Sequence, residues 1–197
     1  MAEATRDRIV RVALQLFRDK GYQSTSIADI RATAEVNSGS LYHAFPSKQD
    51  LLLAVLDTYL AGIDRMLLEP AWRGTIEPIA KIFALLARYR QHLVDTDFLY
   101  GCPIGNLALE IHEPDPPVRE RLAANFSAWT AAVERCLAEA TLQPRVDRRA
   151  VAALVLAVME GAVMLARTHR DIAHFDRAVG ELRRYVATLT RTPRKRT

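Results

Sequence analysis

Apolar residues recur at intervals of three and four along most of the chain, which is the spacing that places side chains on one face of an α-helix. The first such stripe contains Ile9, Ala13, Leu16 and Phe17, and Gly21 follows it as a helix end. No segment of useful length alternates apolar and polar residues as a half-buried strand does. The pattern predicts an all-α fold.

Capping signals divide the first part of the chain into three short helices. Ser26 and Asp29 form a capping-box pair that opens the second helix, and Asn37 caps the third, which Pro46 ends. The same pairing of a serine with an aspartate three residues later, at Ser47, opens a longer fourth helix that extends to about residue 68. The remaining apolar stripes predict helices over about 75–93, a short stretch after 103, and over 118–133, 147–167 and 172–189.

Composition narrows the class of protein. Half of the 197 residues are hydrophobic and a quarter are charged, which is enough apolar material for a sizeable core. The net charge of +4 is compatible with nucleic-acid binding. Two cysteines do not make a disulfide framework, and neither a signal-peptide pattern nor an apolar run of the roughly 20 residues that cross a bilayer is present. We expect a cytoplasmic protein with no membrane partner.

The second and third helices are joined by a tight turn at 34–36, as in a helix-turn-helix, in which the second helix of the pair enters the major groove. At 100° per residue, Leu41, Ala44 and Phe45 fall on one side of the third helix, whereas Gly39 and His43 point the opposite way. The outer face is short and polar, so a DNA backbone can approach it closely. The alternative interpretation is a small helical subdomain with a solvated polar face.

Residues 21–52, which read GYQSTSIADIRATAEVNSGSLYHAFPSKQDLL, resemble the N-terminal DNA-binding domain of the TetR family of transcriptional repressors. The matching positions are Gly21, Tyr22, Thr25, Ser26, Ile27, Ile30, Ala34, Val36, Gly39, Leu41, Tyr42, Phe45, Lys48 and Leu51. The resemblance implies a homodimer that binds a palindromic double-stranded DNA operator and leaves it when a small-molecule effector enters the C-terminal domain. We expect a helix-turn-helix domain at 1–50, a ligand-binding and dimerisation domain at 51–190 and a basic mobile tail at 191–197.

Two arguments select residues for DNA contact. Hydroxyl groups at the start of the second helix, and an ammonium beside the free N–H groups at the start of the fourth, can hold phosphates. Position within the TetR-like domain implies further contacts from the third helix and from Lys48. Tyr42 and Lys48 are expected to contact phosphates. His43 is expected to read base edges or, alternatively, to contact a further phosphate. The expected set is Ser24, Thr25, Ser26, Ser38, Gly39, Ser40, Tyr42, His43 and Lys48.

The last two helices carry the features expected of a dimer interface. The first of them has a small residue at every fourth position, which lets another helix approach closely. The last helix has apolar residues at intervals of three and four, which form a stripe along one face. Part of each stripe must also serve the core of the chain itself. The expected interface residues are Ala153, Ala157, Gly161, Leu165, Phe175, Val179, Leu182 and Val186.

The middle helices supply candidates for an effector pocket, since small-molecule sites are mostly apolar with a few polar groups. The candidates are Met66, Phe83, Leu86, Cys102, Ile111, Phe126, Trp129, Val133 and Met159, each of which is also a plausible core residue. Glu110 and His112 are candidates for a polar handle. No metal site is expected, because His169 and His174 are five residues apart and neither cysteine lies near a second thiol in sequence. No dinucleotide or phosphate-loop motif indicates a cofactor.

Cys102 stands before Pro103, which suits the first position of a helix and would make the cysteine its cap. In the TetR family the short helix that follows connects the effector pocket to the DNA-binding domain. Three roles remain open for Cys102: packing at the pocket or hinge, a redox or electrophile sensor, and an inert turn residue. The competing class is a cysteine-dependent enzyme in which His112 is the base and Glu110 orients it. A nonspecific architectural DNA protein fits the modest charge and the large apolar second half poorly.

Overall fold

The computed structural model describes residues 4–190, and every segment of regular structure among them is helical apart from one isolated bridge between Leu142 and Thr190. The all-α prediction is confirmed. A π-helical turn, Asp64–Leu68, joins the fourth helix to the fifth without a break. The helices are α1 (Thr5–Lys20), α2 (Ile27–Thr33), α3 (Ser38–Ala44), α4 (Lys48–Ile63), α5 (Glu69–Trp72), α6 (Pro78–Asp95), α7 (Pro103–Glu110), α8 (Pro116–Glu139), α9 (Arg148–His169) and α10 (Ala173–Leu189).

The predicted caps form as the sequence indicates. Ser26 and Asp29 make both hydrogen bonds of a capping box at the start of α2. The Asn37 side chain accepts a hydrogen bond from the Ser40 backbone N–H at 2.8 Å and caps α3. The Ser47 hydroxyl accepts from the N–H three residues later, at the start of α4. These local bonds fix where each short helix begins, and therefore which residues α3 presents outward.

The π-helical turn has a simple cause. Pro70 lies in the first turn of α5 and has no N–H to donate to the carbonyl of Met66. The chain instead forms a wider turn, in which the Glu69 N–H donates to the Asp64 carbonyl. The sequence pattern predicted that the fourth helix ends at about residue 68. In the structure the helix is instead widened there and continues into α5.

The chain forms two compact units. Unit 1 contains α1 to α4 through Gly62 together with Pro103–Asn125, and unit 2 contains Ile63–Cys102 and the chain from Phe126 onward. In unit 1, α1 packs against both α2 and α3, and Ile9, Ile30 and Leu41, one from each helix, are fully buried. This division differs from the expected boundary at residue 50, because α7 and the first half of α8 belong to the same unit as α1 to α4. The predicted tail at 191–197 lies outside the described residues.

Unit 2 is built on the packing of α9 against α10 and α6. Its buried cluster draws on α6, α8, α9 and α10, and Ile82, Val133 and Val155 are among its fully buried side chains. By length and composition, α9 is the one helix in residues 4–190 that could cross a bilayer. The core of unit 2 accounts for much of this apolar character, because Val155 and Met159 are buried there.

Replacing Thr25 with valine is expected to destabilise unit 1. Thr25 is fully buried, and its hydroxyl donates to the Gly21 carbonyl at 2.7 Å, with the Leu16 carbonyl at 3.3 Å. Valine keeps the shape but leaves these carbonyls short of a partner, which costs about 1–2 kcal/mol in the free energy of unfolding. Urea denaturation of Thr25→Val and Thr25→Ser measures the difference. Thr25→Ser keeps the hydroxyl, and equal losses in the two variants would contradict the assignment.

Candidate DNA-binding surface and effector site

Helix α3 presents its polar face to solvent. Tyr42 is 53% exposed and His43 is exposed, whereas Leu41 and Phe45 are buried beneath them. This arrangement matches the division into inner and outer faces that the sequence predicted. The surface of α3, defined by Ser38, Gly39, Ser40, Tyr42 and His43, is therefore available to a partner.

Gly39 is not demanded by the fold of α3. A Cβ added there would lie 3.4 Å from the Asn37 side-chain oxygen, which is ordinary van der Waals contact, and the backbone is helical. Gly39 lies in the first turn of α3, where a residue with a side chain also fits the helical backbone. Its presence on the exposed face is consistent with close approach of a partner's backbone.

The candidates at the start of α2 differ from one another. Ser24 is exposed, whereas the Ser26 hydroxyl is engaged with the Asp29 carboxylate at 2.8 Å. Thr25 is buried, and its hydroxyl points at backbone carbonyls inside unit 1. The expectation that Thr25 contacts a phosphate is therefore withdrawn, because its hydroxyl is shielded from solvent and already bonded.

Lys48 lies against the loop that follows α1. Its ammonium donates to the Gln23 carbonyl at 3.3 Å and sits 4.3 Å from the centre of the Tyr22 ring. Burial lowers the pKa of Lys48, and the nearby Glu110 carboxylate acts in the opposite direction. An ammonium carries three donors, so it retains others for a phosphate oxygen.

Glu110, the last residue of α7, is the main contact that the sequence did not indicate. Its two carboxylate oxygens accept hydrogen bonds from the backbone N–H groups of Tyr22 at 2.9 Å and Gln23 at 2.7 Å. Gly21 has a φ of +86°, and a Cβ there would lie 2.8 Å from the Glu110 Oε1. Only glycine satisfies both the backbone conformation and the close approach. Glu110 is thus bound to the loop between α1 and α2 within unit 1.

This placement removes two expectations for Glu110. Both of its oxygens are engaged by Tyr22 and Gln23, so it does not serve as the polar handle of an effector pocket. For the same reason it is not placed to orient His112 as a catalytic base, which the cysteine-enzyme alternative requires. His112 itself is exposed.

Most of the predicted pocket residues lie in unit 2. Phe83, Leu86, Trp129, Val133 and Met159 share its buried cluster. Of the others, Cys102 is buried in the same unit and Phe126 is half-buried. Met66 is 42% exposed and so does not form an enclosed wall, and Ile111 belongs to unit 1.

Unit 2 also contains a group of polar side chains that we call the polar cluster: Tyr89 on α6, Cys102 before α7, Trp129 on α8 and Glu160 on α9. The Cys102 sulfur lies within hydrogen-bonding reach of both the Tyr89 hydroxyl and the Glu160 carboxylate. Burial raises the pKa of Glu160, an effect that the Cys102 hydrogen bond opposes. Burial also raises the pKa of Tyr89 well above its usual value, with smaller contributions from Cys102 and Glu160.

Tyr89 and Glu160 were not among the predicted site residues. A signal for Glu160 exists in the sequence, because it is the one acidic residue within the apolar helix α9. An acid in such a helix faces either solvent or a buried polar partner. Tyr89 carries no comparable signal, since a tyrosine on an amphipathic helix is ordinary.

The expected dimer residues divide into two groups. Ala153, Ala157 and Leu165 on α9 are exposed, and Gly161 is half-buried with open space around its Cα. Phe175, Leu182 and Val186 on α10 are buried within unit 2, so their assignment to an interface is wrong. Their stripe at three and four faces the core of the same chain. Val179 is half-buried.

Comparisons with known proteins agree on one family. Residues 9–55 match the family model described as bacterial regulatory proteins of the tetR family, and residues 78–181 match the C-terminal domain of LmrA/YxaF-like transcriptional regulators. An HTH-type transcriptional regulator of Mycobacterium tuberculosis is 32% identical over 92% of this chain and 93% of its own length. The HTH-type transcriptional repressor DhaR of a Mycobacterium species is 26% identical over 84% of each chain.

Solved structures give the same result. A TetR transcriptional regulator from Chloroflexus aurantiacus is 32% identical, with a TM-score of 0.78 over 94% of this chain and 95% of its own. The regulatory protein TetR from Rhodobacter sphaeroides, at 24% identity, has a TM-score of 0.80 over 93% of this chain and 99% of its own. Neither alternative built on Cys102, the sensor or the enzyme, is favoured by these relatives. The chain belongs to the TetR family of bacterial transcriptional regulators, and it is a DNA-binding regulator of transcription.

Proposed function

We propose that this regulator is a cytoplasmic repressor that binds a palindromic operator as a homodimer and leaves it when a small-molecule effector binds unit 2. The observation that carries the proposal is the solvent-facing polar surface of α3, held outward by the buried Leu41 and Phe45. The relative named as a repressor, DhaR, supports the direction of regulation. The net charge of +4 favours association with DNA.

The residues of α3 are assigned to two kinds of DNA contact, according to the groups that their side chains can reach. Ser38, Ser40 and His43 are assigned to base edges in the major groove, because short hydroxyls and an imidazole can exchange hydrogen bonds with them. Tyr42 is assigned to a phosphate. Lys48, together with the hydroxyls of Ser24 and Ser26, is assigned to the backbone of the same half-site.

A homodimer through α9 and α10 is supported by large apolar side chains that a single chain leaves in water. Leu154, Met164 and Leu165 on α9 are 40%, 51% and 41% exposed, and Tyr185 on α10 is 44% exposed. Contiguous exposed apolar surface of this kind marks an interaction site. A dimer also places two copies of α3 on the two halves of a symmetric operator.

The link between effector and DNA is proposed to run along α7. Cys102, in the polar cluster of unit 2, directly precedes α7, and Glu110 at the other end of α7 holds the loop that follows α1. In unit 2 the segment before Cys102 is fixed to α9, because Arg167 donates to the Leu99 carbonyl at 3.0 Å. A ligand that prefers another arrangement of this segment therefore changes the DNA affinity by at most the free energy of that preference.

DNA binding should respond differently to two neighbouring substitutions on α3. Tyr42→Phe removes a phosphate contact, so we expect affinity to fall about tenfold on every sequence that the protein binds. His43→Ala removes a base contact, so we expect a loss of about 1–3 kcal/mol that is confined to one position of each half-site. Fluorescence anisotropy on the DNA upstream of the protein's own coding region, and on single-base variants of the bound segment, measures both. Wild-type affinity no greater than for random DNA of equal length would contradict the proposed function.

Dimerisation should be sensitive to bulk at Gly161. A Cβ added at this half-buried position meets nothing within 4 Å in the same chain, so the Cβ itself does not clash within unit 2. Gly161→Leu should therefore weaken the dimer at least about tenfold by blocking the approach of a partner helix. Sedimentation velocity over a concentration series gives the dissociation constant. Ala138→Leu adds a leucine at an exposed position on α8 and is expected to leave the constant unchanged. A fully dimeric Gly161→Leu protein at low concentration would place the interface elsewhere.

A further inference from the structure

Two buried polar atoms of the polar cluster have no hydrogen-bond partner. One is the indole Nε1 of Trp129, a residue that is only 4% exposed, and the other is the Oε1 of Glu160. The Trp129 N–H approaches the Tyr89 hydroxyl closely enough to favour its ionised form, but without the geometry of a hydrogen bond. Buried polar groups are almost always paired, so an unpaired donor and an unpaired acceptor near the same tyrosine call for an explanation.

The Glu160 carboxyl is the second unusual feature of the cluster. The groups that influence this carboxyl are its own burial and the Cys102 thiol, and no basic side chain in residues 4–190 forms an ion pair with it. A buried carboxylate is ordinarily matched by a cation or by several hydrogen-bond donors. The hydrogen-bond partner of the Glu160 carboxyl is the Cys102 thiol, which is a weak donor. The Oε1 of Glu160 has no hydrogen-bond partner.

Tyr89 and Trp129 are aromatic members of the same cluster as Glu160. An ammonium group gains attraction where it lies over the face of such a ring. The indole N–H, in contrast, needs an oxygen or another acceptor. The two unpaired atoms therefore call for two different groups: a positively charged donor for the carboxylate and an acceptor for the indole.

We propose that the effector is an apolar amine that also carries a hydroxyl or ether oxygen, with its ammonium bound to Glu160 and its oxygen accepting from Trp129 Nε1. The apolar part contacts the buried cluster of unit 2, including Phe83, Leu86 and Met159. Both polar atoms are shielded from water, so the ligand reaches them only when the helices of unit 2 separate. Binding thus favours a conformation other than the one described, which is the condition for an effector to alter DNA affinity. This inference rests on the proposed function.

Three probes of one skeleton test the assignment. They are 2-amino-3-phenylpropan-1-ol, which has both groups, 1-phenylpropan-2-amine, which has only the amine at the same carbon, and 3-phenylpropan-1-ol, which has only the hydroxyl at the same carbon. Isothermal titration calorimetry of the full chain should rank them in that order, with at least about tenfold between the first and the last. Equal affinities for the three probes, or no saturable binding of any of them, would overturn the proposal.

Two variants assign each group to its partner. Glu160→Gln should remove the advantage of the amine while leaving the affinity for 3-phenylpropan-1-ol within about twofold, and Trp129→Phe should remove the advantage of the added hydroxyl. Glu181→Gln, which changes an exposed acid on α10, should leave the ranking intact. Thermal melts establish that each variant is folded, and the Glu160→Gln result decides the question if Trp129→Phe is not. An amine preference that survives in folded Glu160→Gln would overturn the proposal.

DNA anisotropy on the same samples separates this inference from the proposed function. Specific DNA binding without an amine preference overturns the effector class alone. If the wild-type protein shows no specific DNA binding, the proposed function is overturned, whichever probe binds.

Discussion

The Glu110 carboxylate is the interaction on which the organisation of unit 1 depends. It accepts from two successive backbone N–H groups in the loop between α1 and α2, and so attaches the end of α7 to the DNA-binding helices. Hydrogen bonds to a charged acceptor are stronger than those between neutral groups. The Glu110 carboxylate accepts two of them, from the backbone N–H groups of Tyr22 and Gln23. The same loop contains Gly21 with its positive φ, and the Lys48 ammonium donates to the Gln23 carbonyl there. The loop therefore has one arrangement while α7 stays in place.

Unit 2 shows the opposite condition. Its apolar cluster is well buried, yet the polar cluster at Tyr89, Cys102, Trp129 and Glu160 leaves a donor and an acceptor unpaired. Such groups lower stability in the absence of a ligand. A regulator requires this kind of compromise, because an effector can shift a conformational equilibrium only by as much as it prefers one state. In the DNA-binding half both oxygens of the Glu110 carboxylate are engaged, whereas in the effector half Trp129 and Glu160 each have an unpaired polar atom.

Local signals predicted the parts of the structure that local chemistry decides. The capping pairs at Ser26 and Asn37 and the inner face of α3 are set by residues within four positions of one another, so the sequence revealed them. The contacts of Glu110 join residues 87 and 88 positions apart, and no periodicity encodes such a pairing. Phe175 illustrates a different limit. An apolar stripe shows that a face is buried, but not whether the same chain or a partner covers it.

Selection of bound sequences from a random DNA library tests the central claim most directly. The claim is that two symmetric copies of the α3 surface read one operator, which requires both a specific outer face and a dimer. The account predicts an enriched inverted repeat whose half-sites have centres about one helical turn, roughly 34–36 Å, or a multiple of it apart. Enrichment of a single asymmetric half-site, or no enrichment above the starting library, would contradict it.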